Sequence, residues 1–239
     1  MMNQGKLKQR IRNLNKEKKV PFDIRHQNFF FERFLERLSV SNYMSKFILK
    51  GGFLLSSLLG IENRSTADID MTLEDIQMEE SNLRKILDEI FSINLEDKTR
   101  FSITKVSTIM DDEKYSGLRF SVLGIFSNLK HHFHLDFSTG DIITPNATKE
   151  TINLNVVENK IELMCYSYET VLAEKIETIL SMGEVNTRLK DLSVMLANYE
   201  DHRDSMQKDE DTSYYDRLVL VGRARIEELT RLKKVLKLE

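Results

Sequence analysis

The stretch FILKGGFLLSSLLG over 47–60, followed by RSTADID over 64–70, restricts the fold of this 239-residue chain more than any other segment. Residues 45–51 read as a short buried strand that ends at Gly51-Gly52. Residues 53–59 have the length of two helical turns, and Gly60 is a plausible stop. From 67 to 73 the pattern alternates: Ala67, Ile69, Met71 and Leu73 share one face, and Asp68, Asp70 and Thr72 share the other. A strand, a glycine turn and a helix beside an Asp-x-Asp strand require a sheet with helices packed on it.

The same segment carries chemistry. Side chains two apart on a strand share a face at about 6.5 Å, so Asp68 and Asp70 can lean toward common ions. Two-metal phosphoryl-transfer sites need ions about 3.5–4 Å apart, bridged by such carboxylates. Gly51 and Gly52 stand where a strand gives way to a helix, the usual place for phosphate oxygens to meet backbone N–H groups. The plainer alternatives are a tight turn into a helix and a polar strand face that meets water. Together, glycines and acids read as a site for a nucleoside triphosphate.

The remaining pattern completes an α/β half. Phe30, Phe31, Phe34, Leu35 and Leu38 recur at helical spacing over 27–39. A second amphipathic helix is expected over 80–93. Residues 100–109 and 117–126 read as a hairpin, and 131–138 as another alternating strand. On that strand Phe133, Leu135 and Phe137 face one way, and His132, His134, Asp136 and Ser138 the other. If it neighbours the Asp-x-Asp strand, Asp136 joins Asp68 and Asp70, and three like charges so close imply a divalent cation. Beyond Pro145 the pattern changes. A strand pair or extended segment is expected over 152–164, then helices over about 169–182, 188–200 and 214–237. The domain division expected from this change is 1–150 and 151–239.

Two inward-facing charges follow in that helical half. Lys175 falls on the stripe of Val171, Leu172, Ile176 and Ile179, where an ammonium needs an anion or a route to solvent. Asp191 shares a face with Leu192 and Met195, either as a helix cap or as a site carboxylate, and Arg188 lies one turn before it.

Net charge is −3, so bulk electrostatics does not announce a nucleic-acid binder, yet seven Lys or Arg crowd the first 19 residues against Glu17 alone. These suit either a solvated or frayed helix or contact with RNA phosphate. Cys165 is the sole cysteine, which excludes an intrachain disulfide and reads as a packed apolar residue. No apolar run is long enough to span a bilayer, and the polar N-terminus has no apolar h-region. The expected setting is cytoplasmic. His131, His132 and His134 lack cysteine partners and read as strand surface rather than a zinc site. Neither a Walker loop nor a Rossmann glycine pattern occurs.

An ordered set of motifs now carries a resemblance: ERFLERLS at 32–39, FILKGG at 47–52, RSTADID at 64–70, HLDFSTGD at 134–141, Glu174-Lys175, and NTRLKDL at 186–192. Over residues 26–200 the chain resembles the AbiEii/AbiGii-type nucleotidyltransferase toxins, within the DNA polymerase β-like nucleotidyltransferase superfamily. The resemblance implies an α+β fold: a polymerase β-like mixed sheet with packed helices, then a mostly helical C-terminal lobe. It also implies a toxin of a bacterial toxin–antitoxin or phage-defence pair, with a cognate antitoxin. Its activity would be nucleotidyl transfer from an NTP to RNA, the tRNA 3′ end in some relatives, with Mg²⁺ or alternatively Mn²⁺.

By position, Asp68, Asp70, Lys175 and Asp191 would be catalytic, and Asp68, Asp70 and Asp136 would hold metal. Gly51, Gly52, Arg64, Ser65, Thr66, Lys175 and Arg188 would bind the nucleotide. Relatives often read Lys-Asp-x-x-Asp in the last motif. Here Val194 replaces the second acid, leaving Asp191 alone on that helix. Transfer to a small-molecule or protein hydroxyl, and a non-catalytic nucleotide-binding module, are the alternative functions.

Overall fold

The computed structural model describes residues 4–17, 20–59, 66, 68–111, 115–141, 143, 146–171 and 173–174. The chain divides into two compact units, Met1–Tyr166 and Ser167–Glu239. The first unit runs α1 (Gln4–Glu17), α2 (Phe22–Ser39), a 3-10 turn (Met44–Lys46), β1 (Phe47–Lys50), α3 (Gly51–Leu59), β2 (Asp68–Leu73) and α4 (Glu80–Ser92). It continues with β3 (Thr99–Asp111), β4 (Tyr115–Phe126), β5 (Leu129–Ser138), β6 (Thr148–Leu154) and β7 (Asn159–Cys165). Seven strands form one mixed sheet in the order β3-β4-β5-β2-β1-β7-β6.

Each strand expected from alternation is present, with ends shifted by a few residues. The division at 150/151, however, falls inside β6. The reason is tertiary: β6 pairs antiparallel with β7, and β7 pairs parallel with β1 at Leu49↔Cys165, so both late strands belong to the sheet. Cys165 is buried there, and burial pushes its thiol up to about 12, which suits packing rather than reactivity. Helical backbone over 168–171 and 173–174 begins the helix expected from 169. Its remainder and the helices expected over 188–200 and 214–237 lie outside the described residues.

One face of the sheet is apolar because every second residue is. Ile69, Met71 and Leu73 of β2 lie beside Phe133, Leu135 and Phe137 of β5, all buried. Helix α2 covers this layer with four fully buried phenylalanines, Phe29, Phe30, Phe31 and Phe34, each worth about 1.5–3 kcal/mol of transfer. The Phe31 ring meets Phe133 edge-on at 5.4 Å, and Phe30 approaches so closely that a Cβ at Gly124 would lie 2.4 Å from its ring.

Arg25, Glu32, Arg33, Glu36 and Arg37 of α2 are buried as well, contrary to a simple amphipathic reading. Arg37 makes a two-pronged bond to Asp97 (2.7 and 2.9 Å) and donates to the Arg33 and Thr99 carbonyls. Burial alone would raise Asp97; the Arg37 fork and the Thr99 N–H outweigh it and hold this carboxyl below its usual range. Glu32 accepts the N–H groups of Val156 and Val157 at 2.9 and 2.8 Å, tying α2 to the β6–β7 turn.

Helix α1 is docked rather than frayed. Leu7, Ile11 and Leu14 are buried, and Arg10 pairs with Glu158 (2.8 Å) and donates to the Asn155 carbonyl (2.9 Å). Lys8, Arg12 and Lys16, four residues apart, form an exposed basic stripe on its outer side, with Lys6 also exposed. Among the described residues, no helix is long and apolar enough to cross a membrane.

Candidate functional site

The site forms on the polar face of the same strands. Because β2 and β5 run parallel in register, Asp70 stands opposite Asp136 and Asp68 opposite His134. Side chains in register point to one face, so three carboxylates separated by up to 68 positions in sequence converge. One oxygen from each of Asp68, Asp70 and Asp136 lies within 4.8 Å of the others. Among the described residues this is the single such grouping of metal-ligating side chains. Three hard oxygen donors at that spacing suit a hard divalent cation such as magnesium or manganese.

Gly51 shapes the site in a way its sequence position does not announce. It has φ +69°, in the left-handed region, where the chain leaves β1 for α3. A Cβ built there would lie 1.9 Å from Asp70 Oδ2, so the missing side chain is the space that Asp70 fills. Gly52, the next residue, is buried in the first turn of α3. The first turn of α3, whose N–H groups lack intrahelical partners, therefore begins beside Asp70. Thr66 supports Asp68, its Oγ1 donating to Oδ1 at 2.8 Å.

Three residues absent from the expected site stand on the same face. Arg119 of β4 lies in register with Asp136, its Nε donating to Oδ1 at 2.8 Å and Nη2 to Oδ2 at 2.5 Å. The same Nη2 is 3.6 Å from Asp68 Oδ2. The Asp136 hydrogen bond, with the charges of Asp136, Asp68 and Asp70, raises the guanidinium above its ordinary range despite partial burial.

Asp141 closes the other end of the face. Its Oδ2 accepts from Lys50 Nζ (2.7 Å), Thr72 Oγ1 (2.5 Å), Ser138 Oγ (2.6 Å) and Tyr166 OH (3.1 Å). Burial pushes this carboxyl up, but Lys50, Ser138 and Thr72 together hold it below its usual range. The node joins the ends of β1, β2 and β5 to the residue that follows β7. Since Thr72 and Ser138 lie two residues beyond Asp70 and Asp136, it steadies the strands that carry the acids.

The structure thus brings together Gly51, Gly52, Thr66, Asp68, Asp70 and Asp136. Arg64, Ser65, Lys175, Arg188 and Asp191 lie outside the described residues. His134 pairs with Ser121 Oγ at 3.2 Å, and His131 packs against His26 and Phe30. For Arg119 the signal was a lone cation on the polar side of an alternating strand. For Lys50 and Asp141 it was their inclusion in FILKGG and HLDFSTGD.

A family described as "Nucleotidyl transferase AbiEii toxin, Type IV TA system" matches residues 33–229. No curated protein matches significantly. Solved structures that align with the chain include JHP933 from Helicobacter pylori, at 14% identity over 88% of this chain and 97% of that one, with a TM-score of 0.48. The antibiotic-resistance factor ANT(2'')-Ia in solution aligns at 15% identity over 87% and 97%, TM-score 0.45. An antigenic nucleotidyltransferase-like protein from Paracoccidioides brasiliensis aligns at 16% over 70% and 72%, TM-score 0.40.

Proposed function

The chain belongs to the nucleotidyl transferase AbiEii toxin family of type IV toxin–antitoxin systems, and from that premise we propose that it transfers a nucleotide from an NTP to an RNA hydroxyl, with the tRNA 3′ end as acceptor and magnesium as the ion. Nucleotidyl transfer and a cognate antitoxin come with the family. The acceptor, the ion and the residue roles are our reading.

The convergence of Asp68, Asp70 and Asp136 beside Gly51 carries it. Magnesium held by these acids would supply charge neutralisation at the α-phosphate and a more acidic acceptor hydroxyl. The chain's own groups do the positioning. Gly51 gives Asp70 its place, Thr66 orients Asp68, and the Arg119 fork fixes Asp136. The first turn of α3 at Gly51-Gly52 receives phosphate oxygens through its N–H groups. Arg64, Ser65, Lys175 and Arg188 bind the remaining phosphates in this reading. The acceptor oxygen forms a bond to the α-phosphorus. The bond from that phosphorus to the oxygen bridging to the β-phosphate breaks, and pyrophosphate leaves with the electron pair. Asp191 orients the hydroxyl and takes its proton. The exposed basic stripe of α1 favours an RNA acceptor over a small molecule.

Each α-labelled NTP, incubated with the full chain, Mg²⁺ and total RNA, tests this. Label is expected in RNA of tRNA size, and Asp68→Ala should abolish it while leaving the circular-dichroism spectrum unchanged. Wild-type incorporation by that variant would remove the acid cluster from the mechanism. Label in protein or in a small molecule instead of RNA would overturn the acceptor.

A further inference from the structure

Arg119 belongs to none of the motifs that point to nucleotidyl transfer, yet its guanidinium ends inside the acid cluster. The fork to Asp136 uses one lone pair on each carboxylate oxygen, and a carboxylate offers about four such positions. Asp136 can therefore keep the fork and still ligate an ion. The second contact is electrostatic: Nη2 lies 3.6 Å from Asp68 Oδ2, so one nitrogen sits between two of the three acids. Lys50, the cation on the neighbouring strand β1, is engaged by Asp141. Without a nearby positive charge, three carboxylate oxygens within 4.8 Å of one another would repel and turn apart.

We infer that Arg119 is the internal counter-ion of the acid cluster: it holds Asp68 and Asp136 at ligand spacing in the metal-free protein and competes with the divalent cation for their charge. The inference rests on the metal role proposed for these acids. Its consequence is an order of events. A dication alone meets a cluster already partly neutralised and binds weakly. A dication arriving with a triphosphate brings the negative charge that outweighs the guanidinium. Arg119 is a positioning residue in this scheme, since it acts through Asp136 and Asp68.

The test uses Mn²⁺ alone, without nucleotide, on the full chain and on Arg119→Gln and Arg119→Lys. Calorimetry gives the affinity, and thermal unfolding is followed in EDTA and at saturating Mn²⁺. A dication held by these acids would meet the guanidinium's unit charge at about 4 Å, and that repulsion, even screened as in water, makes Arg119→Gln expected to bind Mn²⁺ about 30-fold tighter. In EDTA the same variant should unfold at a lower temperature than wild type, and the gap should narrow at saturating Mn²⁺. Arg119→Lys keeps the charge and should stay within about threefold of wild type. Equal or weaker Mn²⁺ binding by Arg119→Gln overturns the inference, as does an equal loss of unfolding temperature with and without the ion. Asp70→Asn separates this from the underlying metal reading. If it binds Mn²⁺ as wild type does, or if no variant binds, the metal site itself is wrong and the inference falls with it.

Discussion

Replacing Gly51 with alanine should damage the protein through Asp70, and the structure allows the size of the effect to be worked out. Two costs arise. Holding an L-residue at φ +69° costs about 1–2 kcal/mol, because Cβ crowds the following carbonyl. The added methyl would also lie 1.9 Å from Asp70 Oδ2 and 2.6 Å from its Cγ, so the carboxylate must rotate away. Forcing a packed side chain off its place costs a further 1–3 kcal/mol or so.

The expected loss of about 2–5 kcal/mol is survivable for a domain of ordinary stability. Activity should fall by about 100-fold or more, since a displacement of 1 Å at a reacting centre suffices for that. Urea denaturation gives the stability, and nucleotide incorporation gives the activity. The discriminating measurement is a double-mutant cycle with Asp70→Gly, which removes the Asp70 Cβ as well as the carboxylate. With the whole side chain gone, including the Cβ that would lie 2.7 Å from the new methyl, only the backbone cost remains, and Gly51→Ala should cost about 1–3 kcal/mol less than it does in the wild-type background. Additivity within about 0.5 kcal/mol, or a Gly51→Ala enzyme of near-normal rate, would refute the claim that this glycine exists to seat Asp70.

Two further outcomes are expected. Burial raises the Glu32 carboxyl to about 7, against the opposing pull of the Val156 and Val157 N–H groups, from an ordinary value of 4.5. The unfolded chain then loses this proton at lower pH than the folded one, so stability should fall as pH rises from 4.5 to about 7 and level off above. Glu32→Gln lacks the titration, and the wild-type-minus-variant difference in urea-derived stability should shift by about 3 kcal/mol across that window. A flat difference would mean the carboxyl is not raised. For α1, Lys8→Gln/Arg12→Gln/Lys16→Gln changes exposed positions only and should leave unfolding temperature nearly unchanged. It should weaken RNA binding and reduce the slope of log affinity against log salt by about 2–3. An unchanged slope would exclude α1 as an RNA contact.

Local periodicity was enough to locate most elements of the first unit. Helix α2, β2 and β5 each carry a run of apolar residues at a fixed spacing, and burial of that face dominates their stability, so pattern and structure agree. Alternation also placed Asp68 and Asp70 on one side of β2, and Asp136 on the matching side of β5. Whether these sides met was a matter of register, and a slip of one residue would send Asp136 to the opposite face. Only the parallel pairing of Asp70 with Asp136 decided it.

The same reason hid Arg119, whose neighbours are set by the β4–β5 register, and Asp141, whose four donors come from four separate segments. It also hid the function of Gly51, because a glycine's reason lies in the atom that fills its empty space. The charged residues of α2 fall outside its apolar repeat, which names no partner for them. Arg37 and Glu32 are nonetheless buried, since Asp97 and the β6–β7 turn supply partners from distant parts of the chain. The amino-acid order by itself determined which side chains share a face, because that follows from backbone geometry over a few residues. Which faces meet, and which charges are thereby neutralised, depended on long-range pairing, whose energy no local window contains.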